Sequence, residues 1–158
     1  MAVDTSFVGR RYGPFRYAVG LEKLREYAAA ISGGAPTLGL SGLPDDVHPL
    51  LHDEAAAALS PYKSVIGFPT FCVTFAMAPF GAALTDPALG VDLLRLVHGE
   101  QDFEFLEVLR PGDVLTTYGE LVEVSKRGGN DVLVVQTESV NQHGKTAVRG
   151  RFTGVVRG

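Results

Sequence analysis

Two histidines, His48 and His52, lie four residues apart in the segment DDVHPLLHDE, which also carries several carboxylates. Histidines at this spacing on a helix can bind zinc, and an imidazole beside a carboxylate can act as a general base. Pro49 follows His48 directly and keeps it out of a regular helix, and no third ligand is convincing. We therefore expect no metal site. Alternatively, these residues have a structural role, in which His52 or Asp53 caps the next helix.

The single cysteine, Cys72, lies between Phe71 and Val73 in an apolar run. A thiol in such surroundings is buried and inert, so it is a poor nucleophile, and no second cysteine is present to form a disulfide. One cysteine also fits a reducing compartment. We expect neither a thiol nucleophile nor a bound cofactor.

The segment GFPTF opens the apolar run and places Gly67, Phe68 and Thr70 where a helix would begin. The N-terminus of a helix offers backbone N–H groups to an oxyanion, such as the oxygen of a thioester carbonyl. Thr70 could also cap the helix through its hydroxyl group. The alternative is that Gly67 and Pro69 only make the turn into the helix.

Two further pairs of polar residues are candidates for binding. His98 and Gln101 stand in LVHGEQ, where they could form hydrogen bonds with a substrate, or His98 could be a buried histidine satisfied by a backbone carbonyl. Arg149 and Arg151 alternate with apolar residues, so one face of a strand is basic and could meet a phosphate group. The alternative for the arginines is a solvated surface.

Helical periodicity marks three segments of the chain. Apolar residues recur at helical spacing over Leu21–Ile31, with charges on the other face, which predicts an amphipathic helix. Asp53 is placed to cap a short helix over Glu54–Leu59. The segment Phe71–Leu84 is apolar nearly all round, so this helix must be surrounded by the rest of the domain. The breaker-rich stretch Gly33–Pro44 predicts a long loop.

After Pro87 the pattern changes to that of β-strands. Four strands are predicted, over Phe103–Leu109, Val114–Val124, Val132–Val140 and Ala147–Val156. Gly-containing turns between the last three predict an antiparallel meander. One apolar helix followed by long antiparallel strands predicts an α+β domain whose sheet curls around a central helix, and the open sheet edges predict a dimer.

Composition bounds the class of protein. Of the 158 residues, 46% are hydrophobic and 20% are charged, values typical of one soluble globular domain over residues 1–158. A net charge of −4 with scattered lysines and arginines removes the electrostatic basis for binding nucleic acid. The N-terminus carries no apolar leader and the longest apolar run is broken by glycines and prolines. We therefore expect a cytoplasmic protein without a membrane span.

The order of these segments resembles the MaoC-like hot dog dehydratase family, from Phe7 to Val156. The motifs GFPTF, LVHGEQ and RPGD carry the resemblance, because they come in the family's order and spacing. The chain is most similar to the N-terminal, non-catalytic type, which includes accessory subunits of heterodimeric (3R)-hydroxyacyl-ACP dehydratases. The resemblance implies the hot dog fold, an acyl-CoA or acyl-ACP thioester as ligand, and a second hot dog subunit in a homo- or heterodimer.

In catalytic members of that family the motif runs Asp, any residue, Asn, Pro, any residue, His. Aligned on Pro49, it places Asp46, His48 and Leu51 at the three functional positions, with His52 one residue late. The resemblance thus implies that Leu51 replaces the general base and that this chain holds no catalytic residue. The expected substrate-binding residues are Gly67, Phe68, Thr70, His98 and Gln101.

The expected function is that of an accessory subunit of an acyl-thioester dehydratase or hydratase in fatty-acid or polyketide metabolism. This chain would supply the acyl-binding groove and half of a dimer interface, while a partner would supply the acid and base. One alternative is a self-sufficient hydratase homodimer that uses Asp46 and His52 as a displaced pair. Another is a diverged acyl-thioester-binding hot dog protein or a thioesterase.

Overall fold

The computed structural model describes residues 4–32 and 47–158, whose largest feature is one antiparallel sheet of five strands. The strands are β1 (Arg11–Ala18), β2 (Leu96–Phe105), β3 (Val114–Arg127), β4 (Asn130–Val140) and β5 (Thr146–Val156). Their order across the sheet is β1-β3-β4-β5-β2, so β1 and β2 form the edges. The predicted meander of the last three strands is confirmed, with Gly128 and Gly129 at positive φ in its first turn.

The described residues also contain four α-helices: α1 (Leu21–Ile31), α2 (Glu54–Leu59), α3 (Val73–Ala76) and α4 (Ala78–Leu84). A 3₁₀ turn over Pro69–Cys72 leads into α3 and α4, and together they form the apolar central helix. This helix packs against the sheet and supplies Phe75 and Phe80 to the hydrophobic core. A sheet packed around one central helix is the hot dog arrangement, so the predicted α+β fold is confirmed.

The central helix is broken in the structure, although the sequence predicted one continuous element. Pro79 stands at the start of α4 and has no N–H to donate, so the helix restarts there after Met77. The cap predicted for Thr70 is wrong, because the N-cap residue is Phe68, which makes no side-chain cap bond. The Thr70 hydroxyl instead accepts a hydrogen bond from Tyr27 Oη at 2.9 Å.

The central helix lies directly on the sheet where Pro79 meets Gly119 of β3. A Cβ atom added to Gly119 would lie 2.2 Å from Pro79 Cβ, far inside van der Waals contact. Residue 119 must therefore lack a side chain for α4 to reach the sheet. In the surrounding core, Phe71, Leu121 and Phe152 are fully buried.

The first two predicted helices are confirmed. α1 spans the predicted residues and buries Leu24 and Ala28 on its inner face. Asp53 caps α2, because its carboxylate accepts hydrogen bonds from the backbone N–H groups of Ala56 and Ala55. These bonds favour the charged carboxylate, so they lower the pKa of Asp53.

Two strands differ from the sequence prediction. The strand predicted over Phe103–Leu109 lies earlier, at β2, because an edge strand exposed on both faces shows no clear alternation. β1 is missing from the prediction because Gly13–Pro14 is typical of a turn. In the structure this dipeptide lies at a register shift on an edge strand, where a proline is tolerated. The predicted loop Gly33–Pro44 lies outside the described residues.

The burial of Cys72 gives a direct chemical prediction. Its side chain has no exposed surface, and desolvation raises the pKa of the thiol to about 12. Because the thiolate is the reactive form, we expect the native protein to resist Ellman's reagent at mildly alkaline pH. One thiol per chain should react fully once guanidinium chloride unfolds the protein. Rapid release of the chromophore from the native protein would contradict this placement of Cys72.

Candidate substrate site

A short turn over residues 47–53 carries the histidines singled out in the sequence. Pro49–Leu51 form a 3₁₀ turn that is capped by His48, whose Nδ1 accepts the Leu50 N–H at 3.2 Å. The Leu50 carbonyl in turn accepts a hydrogen bond from the backbone N–H of Ile66 at 3.2 Å. This bond places the turn beside the segment that leads into the central helix.

His52 is held to its surroundings by its ring and by its backbone. Its Nε2 lies 3.1 Å from the Val47 carbonyl, and because a carbonyl only accepts, the ring donates this bond. The His52 carbonyl accepts a hydrogen bond from Arg25 Nε at 2.8 Å. Leu51 precedes it with an aliphatic side chain that can neither take nor give a proton. Asp46, the carboxylate expected to pair with His52 in a self-sufficient enzyme, lies outside the described residues.

An apolar cleft of about 250 Å³ lies beside this turn. Gly67 forms part of its wall, and the Gly67 N–H donates to the Leu109 carbonyl at 2.8 Å, which joins two sides of the cleft. The side chains of Tyr62, Phe105 and Leu106 line the cleft and are 41%, 49% and 43% exposed. The other lining residues are Ile66, Pro69, Glu107, Val108 and Val148. An aliphatic chain is the ligand that such a lining suits best.

Sequence reasoning identified Gly67 but missed the side chains that give the cleft its character. Tyr62 lies in a loop, and Phe105 with Leu106 falls inside the strand predicted over Phe103–Leu109. Their common feature is a large apolar side chain left exposed in the folded chain. Periodicity along the sequence cannot reveal that feature, because exposure here depends on where the neighbouring elements end.

One of the backbone N–H groups predicted to bind an oxyanion, that of Gly67, is already engaged within the protein. The Gly67 N–H is bonded to Leu109, Pro69 has no N–H, and the helix begins as a 3₁₀ turn. The Thr70 hydroxyl is engaged by a tyrosine of α1, and Phe68 is 39% exposed near the cleft. The structure therefore gives Gly67 a place in the cleft wall and gives the oxyanion role no support.

His98 and Gln101 lie on β2 and face the same side of the sheet. In a regular strand residues three apart face opposite sides, but a register shift between His98 and Glu100 restores the alignment. His98 lies opposite Gly154, and its ring centroid is 5.5 Å from that of Phe80. The residue is exposed, which is inconsistent with a buried imidazole satisfied by a carbonyl. Contact of either residue with a substrate stays a prediction.

A larger cavity of about 760 Å³ spans the outer face of the sheet. Its rim is charged, since Arg149 pairs there with Glu104 at 3.0 Å and with Glu138 at 3.4 Å. Arg151 lies 3.7 Å from Glu123, so both arginines of the predicted basic face have acidic partners and a phosphate contact gains no support. A broad charged surface suits an acyl chain poorly, which makes the smaller apolar cleft the better candidate.

Metal and membrane sites were also expected to be absent. Within residues 4–32 and 47–158, no three side chains of His, Cys, Asp or Glu converge as a metal ion would require. None of the helices in this described part of the chain is both long and apolar enough to cross a membrane.

Comparison with known proteins identifies the family. A family model for the FAS1-like dehydratase domain region matches residues 6–149. The chain belongs to this family. A UPF0336 protein from Saccharopolyspora erythraea is 38% identical over all of this chain and 94% of its own length. Another from Streptomyces griseus is 36% identical over 94% of this chain and 91% of its own.

Solved structures of hot dog proteins superpose on this member of the FAS1-like dehydratase region family. A MaoC-like dehydratase gives a TM-score of 0.77 at 29% identity, over 96% of this chain and 42% of that one. The HadBC (3R-hydroxyacyl-ACP dehydratase) complex from Mycobacterium tuberculosis gives a TM-score of 0.75 at 24% identity, over 98% of this chain and 99% of that one. The R-hydratase PhaJ1 from Pseudomonas aeruginosa gives a TM-score of 0.66 at 22% identity, over 95% of this chain and 81% of that one. The hot dog fold of the family is thereby confirmed.

Proposed function

We propose that this chain is the accessory subunit of a cytoplasmic acyl-thioester dehydratase or hydratase, which interconverts 3-hydroxyacyl and enoyl thioesters. It acts as a single domain over residues 1–158 and supplies an acyl-binding groove and half of a dimer interface. The observation that carries the proposal is the 47–53 turn. There Leu51 takes the place of the general base, and the His52 ring donates its Nε2 proton to the backbone of its own turn.

The chemistry explains why this substitution decides the role. Loss of water from a 3-hydroxyacyl thioester breaks the C2–H and C3–O bonds, so it needs a base for the C2 proton and an acid for the departing hydroxyl. Donors must also stabilise the thioester oxygen as charge develops on it. Leu51 supplies none of these groups. A second hot dog chain with an intact Asp and His pair supplies the acid and base, on a substrate carried by CoA or an acyl carrier protein.

The acyl chain is assigned to the cleft between Tyr62 and Leu106. Each methylene group that an apolar cleft buries stabilises the complex by about 0.8 kcal/mol. The wall at Gly67 is closely packed, since a Cβ atom there would lie 3.2 Å from Leu109 Cβ and 3.3 Å from Leu24 Cδ2. A glycine at this position keeps the wall thin, which supports a role for residue 67 in shaping the groove.

Assembly with a second hot dog chain has support from two structures of the same fold. HadBC and ChsH1–ChsH2 of Mycobacterium tuberculosis are complexes, and the latter superposes with a TM-score of 0.68 at 14% identity, over 95% of this chain and 98% of that one. We extend this form of assembly to the present chain, with the catalytic residues on the partner.

A pair of leucine substitutions tests the acyl groove. Leu106→Glu places a carboxylate in the cleft, whereas Leu94→Glu changes a leucine that is 97% exposed and does not line the cleft. Because a charge beside an acyl chain is poorly solvated, we expect Leu106→Glu to weaken binding of octanoyl-CoA by about tenfold or more, measured by isothermal titration calorimetry. The control should bind within about twofold of wild type. Equal affinities for the two variants would contradict the assignment of the cleft.

A further inference from the structure

The two edges of the sheet differ in how ready they are to accept another strand. β1 carries Pro14, which has no N–H to donate, and its pairing is interrupted between Tyr12 and Phe15. β2 is ten residues long and, within the described residues, pairs with β5 alone. From Glu100 to Phe105 its register with β5 is uninterrupted. β2 is therefore the edge that presents a regular row of backbone donors and acceptors.

Large apolar side chains accompany this edge. Val97 is 38% exposed at the start of β2, and Phe105 and Leu106 are about half exposed at its end. Exposed apolar side chains on both ends of a free edge strand are typical of a surface that another chain covers.

Acidic residues occupy the outer face of the same strand. The acidic residues of this face are Glu100, Asp102 and Glu104. In the register of the sheet they lie opposite Thr153, Arg151 and Arg149 of β5, respectively. These three residues of β5 alternate with its buried residues and so face away from the core. Glu104 pairs with Arg149 at 3.0 Å. Glu100 and Asp102 form no hydrogen bond or ion pair with any residue of the described ranges, and both are exposed.

This pattern opposes pairing of β2 with the β2 of a second copy. Residues directly opposite each other in an antiparallel pair share a face of the sheet, so outer-face residues meet outer-face residues. If the symmetry axis passes at Asp102, that residue meets itself and Glu100 meets Glu104. If it passes at Gln101, Glu100 meets Asp102. Each register that centres on a residue from Glu100 to Glu104 therefore sets carboxylates against carboxylates, and like charges in this position are destabilising.

We infer that β2 selects a different chain over a second copy of this one, and that the chosen partner presents Lys or Arg on the outer face of its own edge strand. This inference rests on the proposed function for one point only, that the partner is a hot dog chain. The backbone row and the apolar side chains provide the contact, and the acids determine which chain is accepted. Charge pairs of this exposed kind are weakened by salt, so the selectivity is greatest at low ionic strength.

A charge-reversed copy of the chain tests the inference without an identified partner. The variant Glu100→Lys/Asp102→Lys/Glu104→Lys should pair with wild type, because each outer-face contact described above then joins a lysine to a carboxylate in the mixed dimer and two lysines in the variant's own dimer. In sedimentation velocity at low salt, we expect the mixture to dimerise with a dissociation constant about tenfold or more below that of either protein alone. The preference should disappear at high salt. The matched control is Glu120→Lys/Glu123→Lys/Glu138→Lys, which makes the same change of charge on β3 and β4, inside the sheet.

Two results would overturn the inference. One is a wild-type homodimer that is as tight as the mixed dimer. The other is a control mixture that pairs as well as the β2 mixture, which would show that net charge and not the edge strand sets the preference. The experiment measures association and not turnover. If the mixed dimer is not preferred, the proposed accessory role is unaffected. If the accessory role proves wrong, the partner preference of β2 can still be measured.

Discussion

Gly119→Ala should lower the free energy of unfolding by about 3 kcal/mol, a large effect for one methyl group. The added Cβ would stand 2.2 Å from Pro79 Cβ, so α4 would have to move off the sheet or β3 would have to bend. Neither movement is small, because the interior around this contact is closely packed. For a domain of this size we expect the midpoint of thermal unfolding to fall by roughly 6–12 °C in differential scanning calorimetry.

The same substitution at Gly81 is the matched control. Gly81 lies inside α4, and a Cβ atom there would meet nothing within 4 Å. Alanine is the better helix former, so Gly81→Ala should raise the free energy of unfolding by about 0.5–1 kcal/mol. The two glycine-to-alanine variants should therefore change the free energy of unfolding in opposite directions. A Gly119→Ala protein as stable as wild type would mean that the central helix does not rest on β3 as described.

The fold could be predicted from the sequence to the extent that burial leaves a periodic pattern. α1 carries apolar and charged residues at helical spacing, α2 follows a capping aspartate, and β3, β4 and β5 are valine-rich runs separated by glycine-containing turns, so these elements were found. β1 and β2 are edge strands with little buried surface, and β1 also contains Gly13–Pro14. Their strand structure depends on pairing with β3 and β5, which are distant in sequence, so local pattern could not identify it.

The candidate site was predicted less well than the fold. The inference that Leu51 replaces the general base rests on the family resemblance and on the order of residues around Pro49, and it stays a prediction. The oxyanion role of Gly67 depends on which carbonyl its N–H meets, and only the tertiary structure supplies Leu109. Likewise, His98 and Gln101 share a face only because of a register shift in β2, which their spacing does not reveal.

The second large effect concerns catalysis. On the proposed function the purified chain should not hydrate crotonyl-CoA or a longer enoyl-CoA, because a positioned general base accounts for about 10²–10⁴-fold in rate and the proposal assigns Leu51 to that position. Addition of a hot dog chain that carries the intact Asp and His motif should restore turnover. In that complex His52→Ala should retain activity, since the His52 ring stabilises the 47–53 turn through its hydrogen bond to the Val47 carbonyl.

The most direct test of the accessory role is therefore the hydration of crotonyl-CoA by this chain alone, followed by loss of enoyl absorbance, for wild type and His52→Ala. We expect neither protein to show turnover above the rate without protein. Turnover by wild type that His52→Ala abolishes would contradict the accessory role and would establish His52 as a base displaced by one residue.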